Sequence, residues 1–272
     1  MEINRDTMTA GLKQITEKIF FLPEVEYAKI RDVIIHRENN ETEILEAVDR
    51  GYHDCYSDMD LSIMVRLSPK DSITALEYMK RIDRFGIESE NLLGIAFVEE
   101  SRMYRIILKN GLRYDLGFDF DYDAMADLII LSTFEKEYSN PRWPIEKVNQ
   151  FWFMQIQALA KLYRKDFLIG DHLANMSLNE TLVQQMIIRD IKYGTNHHRY
   201  GYEDELSYIK YKNKFPIYTS NERFNLIADK LYCAALSYDE LTKSFYSEYK
   251  ARSPYFFEIW NSYELARLHN DY

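Results

Sequence analysis

The stretch Arg50-Gly51-Tyr52-His53-Asp54-Cys55-Tyr56-Ser57-Asp58-Met59-Asp60-Leu61-Ser62-Ile63-Met64-Val65 decides how this chain is read. It places two carboxylates, Asp58 and Asp60, two positions apart at the mouth of an apolar strand. Strand side chains alternate faces, so the two acids project from one side of the sheet. A second strand-like segment, Leu112-Arg113-Tyr114-Asp115-Leu116-Gly117-Phe118, carries another acid in a similar apolar setting. Together Asp58, Asp60 and Asp115 would make a three-carboxylate site for Mg²⁺, a hard cation that takes oxygen ligands. Asp119 and Asp121 share the face parity of Asp115 if that strand continues, and they rival it for the third position.

Working outward, Asp6 to Phe21 has helical spacing, Thr42 to Ala47 and Leu61 to Leu67 read as strands, and Ser72 to Phe85 reads as an amphipathic helix. Ser68-Pro69-Lys70-Asp71 breaks the chain before that helix. Leu92 to Val98, Met103 to Leu108 and Leu112 to Phe118 follow as strands, with Asn110-Gly111 predicting a type I′ hairpin turn. Pro141 and Pro144 bracket Trp143 and mark the domain boundary, which places one domain over 1–143 and a second over 144–272. Beyond it Val148, Phe151, Trp152, Ile156, Leu159 and Leu162 recur at helical steps. Leu178 to Tyr193, Glu222 to Tyr249 and Tyr255 to Leu268 do the same, predicting an all-α second half with Gly194 ending one helix.

Composition narrows the function classes. A net charge of −10 argues against a nucleic-acid surface, because phosphate neutralisation needs a basic patch, and it suits a cationic small substrate. Apolar runs such as Leu128-Ile129-Ile130-Leu131 are far shorter than the roughly 20 residues of a membrane span. The expectation is a soluble, cytoplasmic protein with no membrane partner. Cys55 and Cys233, the only cysteines, are too few for a disulfide framework and are read as reduced, with Cys233 packed in a helix. No P-loop or dinucleotide fingerprint is present, and the adjacent His197 and His198 lack the spacing of a helical zinc site.

An isolated D-x-D is common and most often a solvated turn. Here Arg50-Gly51, Ser57 before the first acid, the apolar strand after the second, and a third acid after a hairpin occur in one order. That order resembles the nucleotidyltransferase superfamily, especially the branch that adenylylates aminoglycosides and lincosamides. The resemblance covers roughly Ile44 to Phe118, with the helical half matched more loosely. It implies an α/β (α+β) nucleotidyltransferase domain with a mixed sheet, a helical domain closing over the substrates, and an active site in the cleft between them.

By the same resemblance, Asp58 and Asp60 hold Mg²⁺, and Asp115 holds a second metal or acts as general base. Arg50, Ser57, His198 and Arg199 bind the nucleotide, His198 and Arg199 within the polar run Arg189 to Gly201. The co-substrate is ATP or another nucleoside triphosphate, AMP is the group transferred, and the acceptor is a hydroxyl of a small, cationic, antibiotic-like molecule. One departure stands out: the family's Gly-Ser turn falls on Glu46-Ala47. An active site would require Glu46 to point away from the phosphates or to bond Arg50. The alternative is a protein that kept the fold but serves as a nucleotide-binding or interaction module.

Overall fold

In the computed structural model the acid-bearing stretch is a strand over Met59–Val65, whose side chains are buried at every second position. The structure describes residues 3–38, 40–51, 54–65, 82–98, 103–120, 140, 142–194, 207–212, 214 and 221–270. Its contacts divide the chain into two compact units, Met1–Glu137 and Tyr138–Tyr272.

The first unit opens with helix α1 (Arg5–Phe20), capped by Asn4, whose side chain accepts from the Thr7 amide while the Thr7 hydroxyl accepts from the Asn4 amide. That reciprocal arrangement satisfies two backbone donors that a helix start leaves unpaired. Strands β1 (Val25–Ile30) and β2 (Val33–Ile35) follow, then helix α2 (Asn40–Gly51), strand β3 (Met59–Val65), and strands β4 (Leu92–Val98), β5 (Met103–Leu108) and β6 (Arg113–Phe120). The strands form one six-stranded sheet in the order β2-β1-β3-β6-β5-β4. It is mixed: β3 and β6, at its centre, run parallel, and the other neighbours run antiparallel.

The sheet has two unlike faces. Met59, Leu61, Ile63 and Val65 of β3 and Tyr114, Leu116 and Phe118 of β6 are buried on one of them. Helix α1 covers that face so closely that a Cβ on Gly11 would overlap the Tyr114 hydroxyl and lie 2.7 Å from Leu112 Cδ1. Asp60 and Ser62 of β3 and Asp115, Gly117 and Asp119 of β6 take the other face, by alternation.

Two expectations are corrected here. Thr42 to Ala47 is helical and lies inside α2. Its buried residues, Ile44, Ala47, Val48 and Gly51, fall at i, i+3, i+4 and i+7, a period that only a helix puts on one face. Glu41 and Glu43 in the first turn suit the positive end of the helix dipole. The hairpin at Asn110-Gly111 exists, but not as a type I′ turn, which needs positive φ at both central residues. Only Gly111 has it, at 90°. The Gly111 amide donates to Leu108 O and the Leu108 amide to Leu112 O, both at 2.9 Å, giving a three-residue loop with glycine at the left-handed position. Within the expected helix over Ser72 to Phe85, Ile82–Phe85 is a 3-10 turn, and 72–81 lie outside the described residues.

The second unit has four α-helices among the described residues, α3 (Ile145–Tyr163), α4 (Phe167–Tyr193), α5 (Glu222–Thr242) and α6 (Ser253–Asn270), and a 3-10 turn over Ser207–Tyr211. The expected helix over Glu222 to Tyr249 thus stops at Thr242, and beyond it Phe245 stacks on Trp143 and Tyr246 is buried. Lys230 meets Asp171 and Thr242 meets Gln184, so α4 and α5 run in the same direction. Gly194 ends α4 in the left-handed conformation, φ 64°.

Trp143 is fully buried in this unit, its Nε1 donating to the Tyr238 hydroxyl at 3.0 Å and its ring stacked on Phe245. The sequence boundary at 143/144 separates Trp143 from these partners, whereas the contact division keeps them together. Asp239 is 4% exposed and ties three segments. It accepts from the Tyr249 hydroxyl at 2.7 Å and from the amides of Arg252 and Ser253 at 3.1 and 2.7 Å, which caps α6 from α5. Cys55 and Cys233 are buried, and burial pushes the Cys233 thiol up to about 12. No described helix is long and apolar enough to cross a membrane.

Candidate active site

The parallel pairing of β3 with β6 puts Asp60 directly beside Asp115. Partners in register share a face, so the two carboxylates stand side by side at the centre of the sheet. Asp58, two positions before Asp60 and just outside β3, has the same parity. Its segment is shaped by an Asp54 turn: Asp54 Oδ1 accepts from the Tyr56 amide at 2.9 Å and the Ser57 hydroxyl at 3.1 Å. Ser57 is therefore buried and engaged within its own turn.

Each acid faces an arginine from another element. Arg113 Nη2 lies 3.2 Å from Asp58 Oδ2, while its Nη1 donates to Tyr56 O at 2.9 Å, so this buried guanidinium fastens the Asp58 segment to β6. Arg105 is the register partner of Asp115 across β5 and β6, with Nε 3.3 Å from Asp115 Oδ2. Arg31 follows β1 in a left-handed conformation, φ 52°, donates its amide to Asp60 O, and sets its Nε 3.8 Å from Asp60 Oδ2. Gly51 makes room for it, since a Cβ there would stand 3.0 Å from Arg31 Nε.

The electrostatics follow from this crowding. Burial pushes the Asp115 carboxyl up to about 6; Arg105 opposes the shift, and Asp58 and Asp60 add to it. The Asp60 carboxyl is also raised, by burial first and then by Asp58, against Arg31 and Arg105. Desolvation and like charge both disfavour the ionised acids, and a bound cation would relieve both.

As donors these residues fit Mg²⁺: hard carboxylate oxygens, on one face, repelling one another. Among the described residues, no three His, Cys, Asp or Glu side chains are gathered into a group able to hold a metal ion. The two observations are compatible, because Mg²⁺ is usually held by one or two carboxylates together with waters and substrate phosphates rather than by a protein cage.

The remaining expected residues divide. Arg50 lies on α2, half exposed, and pairs with Glu46 at 2.5 Å one helical turn away. Glu46-Ala47 is thus a helical dipeptide, and the turn that contacts the acid strand is Arg31-Asp32 between β1 and β2. Asp119 shares the acid face and accepts from the Ser62 hydroxyl at 2.6 Å. His198, Arg199 and Asp121 lie outside the described residues, as do Thr195 and Asn196.

Sequence reasoning assigned no role to Arg31, Arg105 or Arg113. Arg105 had a visible signal, a lone charge inside the apolar run Met103-Tyr104-Arg105-Ile106-Ile107-Leu108, and Arg113 shares the parity of Asp115 on one strand. Arg31 had none, since its proximity to Asp60 comes from the pairing of β1 with β3. No protein-family model matches the chain, and no curated protein matches it.

Proposed function

We propose that the first unit is a Mg²⁺-dependent nucleotidyltransferase that moves a nucleoside monophosphate, AMP from ATP, onto a hydroxyl of a small cationic acceptor of the aminoglycoside or lincosamide kind. The observation that carries this reading is the register pairing of Asp60 with Asp115, with Asp58 on the same face. Asp58 and Asp60 would hold the cation, whose chemistry is to neutralise charge on the phosphate oxygens. Asp115, with its carboxyl raised to about 6, suits a base that works near neutral pH. It takes the proton of the acceptor hydroxyl as that oxygen bonds to the α-phosphorus. The bond from the α-phosphorus to the bridging oxygen breaks, and pyrophosphate leaves with the electron pair. Glu46, paired with Arg50 on a helix, is no obstacle to phosphate binding by virtue of that pairing. The acceptor class and the nucleotide rest on the sequence resemblance.

Calorimetric titration of ATP with and without Mg²⁺ tests the reading, alongside pyrophosphate release across a panel of aminoglycosides and lincosamides. Mg²⁺-dependent binding that disappears in Asp58→Asn and Asp60→Asn is expected, together with release of pyrophosphate for some acceptor. ATP binding that ignores both Mg²⁺ and these substitutions would refute it. A second reading, a catalytically silent nucleotide-binding module, is favoured by the pairing of every acid with an arginine. Mg²⁺-dependent binding without pyrophosphate release would select it.

A further inference from the structure

The three arginines at the acids are held in different ways. Arg113 Nε is buried without a hydrogen-bond partner, but its Nη2 bonds to Asp58 and its Nη1 to Tyr56 O, so this guanidinium is built into the frame. Arg105 and Arg31 lie within ion-pair distance of Asp115 and Asp60, yet their Nε atoms are buried and have no hydrogen-bond partner. They are held by charge without the aligned fork geometry that an arginine–carboxylate pair normally adopts. A buried N–H left unpaired is costly, so the Nε–H of each side chain has an unmet demand for an oxygen acceptor. Phosphate oxygens offer the planar, two-pronged match that guanidinium prefers. Arg31, in the turn after β1, and Arg105, on β5, border the acids on either side of the β3–β6 pair.

We propose that Arg105 and Arg31 are exchange partners: they neutralise Asp115 and Asp60 in the cation-free protein, and turn onto the triphosphate oxygens when a divalent cation held by Asp58 and Asp60 supplies the positive charge at the acid row. This rests on the nucleotidyl-transfer reading and adds a mechanism of coupling to it. The cation competes with arginine for the acids and releases arginine for the phosphates, so cation and triphosphate bind cooperatively.

The coupling has a signature that a structural role lacks. In Arg105→Met, Mn²⁺ alone, measured by calorimetry or by paramagnetic resonance of the free ion, should bind about three- to tenfold tighter, because a competing positive charge is gone. A non-hydrolysable α,β-methylene analogue of ATP, titrated at saturating Mn²⁺, should bind about tenfold weaker, because a charged hydrogen bond to phosphate is lost. Arg31→Met should repeat both signs. Arg105→Lys keeps the charge and loses the fork, so it should leave Mn²⁺ affinity near that of the native protein and still weaken the analogue. It also stands in if the methionine variant fails to fold by circular dichroism. Loss of affinity for both probes together, or analogue affinity unchanged in both arginine positions, overturns the proposal while leaving the enzyme reading intact. A native protein that binds neither probe overturns that reading and this one with it.

Discussion

Asp115→Asn is expected to make the protein more stable at pH 8 while abolishing turnover. Burial holds the Asp115 carboxyl at about 6 against an ordinary value of 3.8. Between those values the folded protein keeps a proton that the unfolded chain has released, so stability falls as pH rises from about 4 through about 6. The penalty is absent below the unfolded value and complete above the folded one. With about 1.4 kcal/mol per pH unit, it amounts to about 3 kcal/mol. The side chain is only 11% exposed, so solvent screens it little. Asparagine has no titration, so its stability relative to the native protein should improve by about that amount between pH 4 and pH 8. The Arg105 ion pair forms only as Asp115 ionises, and its favourable effect is already contained in the value of about 6, so it needs no separate correction. Urea unfolding of both proteins at several pH values, without divalent cations, measures the difference. A difference flat to within about 0.5 kcal/mol, or one that favours the native protein as pH rises, would refute the reasoning. Near-native turnover in the variant would separately reject Asp115 as base.

Asp239→Asn should destabilise the helical unit by about 2 to 4 kcal/mol, since a charged acceptor serving Tyr249, Arg252 and Ser253 is replaced by a weaker one whose amide group has no place among donors; thermal unfolding followed at 222 nm checks it. Gln155 is fully buried in α3 and neither of its amide atoms has a hydrogen-bond partner among the described residues. Gln155→Leu should therefore be neutral or stabilising by about 1 kcal/mol, and a loss of more than about 1 kcal/mol in denaturant unfolding would show that the amide is satisfied in solution.

Much of the sheet was legible because its strands obey a simple period. Strand β4 and strand β5 lie where their sequence patterns place them, and the acids share a face because alternation requires it. Strand β1 was missed for a local reason. Its pairing with β3 shifts register between Val25 and Tyr27, and the extra residue breaks the alternation that would have revealed it. Thr42 to Ala47 was misread because a six-residue window holds too little of a helical period; the pattern emerges only when Val48 and Gly51 are included. The three acids could be chosen from one strand motif and its neighbour. Arg31 could not, because it reaches the site through the β1–β3 pairing, distant in sequence, whereas Arg105 faces Asp115 across a local hairpin and was legible there.

The parallel contact between β3 and β6 also bears on the order in which the protein is made. Strands β4 and β5 intervene in the chain, and the β4–β5–β6 meander needs only local hairpins, whereas joining β6 to β3 closes a long loop. A nascent chain that has emerged as far as β5 already carries Asp58 and Asp60 but cannot yet set Asp115 beside them. The acid row is thus complete only once that long-range pairing has formed. Any ligand that bridges the row holds that seam shut, and ligand binding can serve as a gauge of completed folding where helix content and hairpin formation would already read as native.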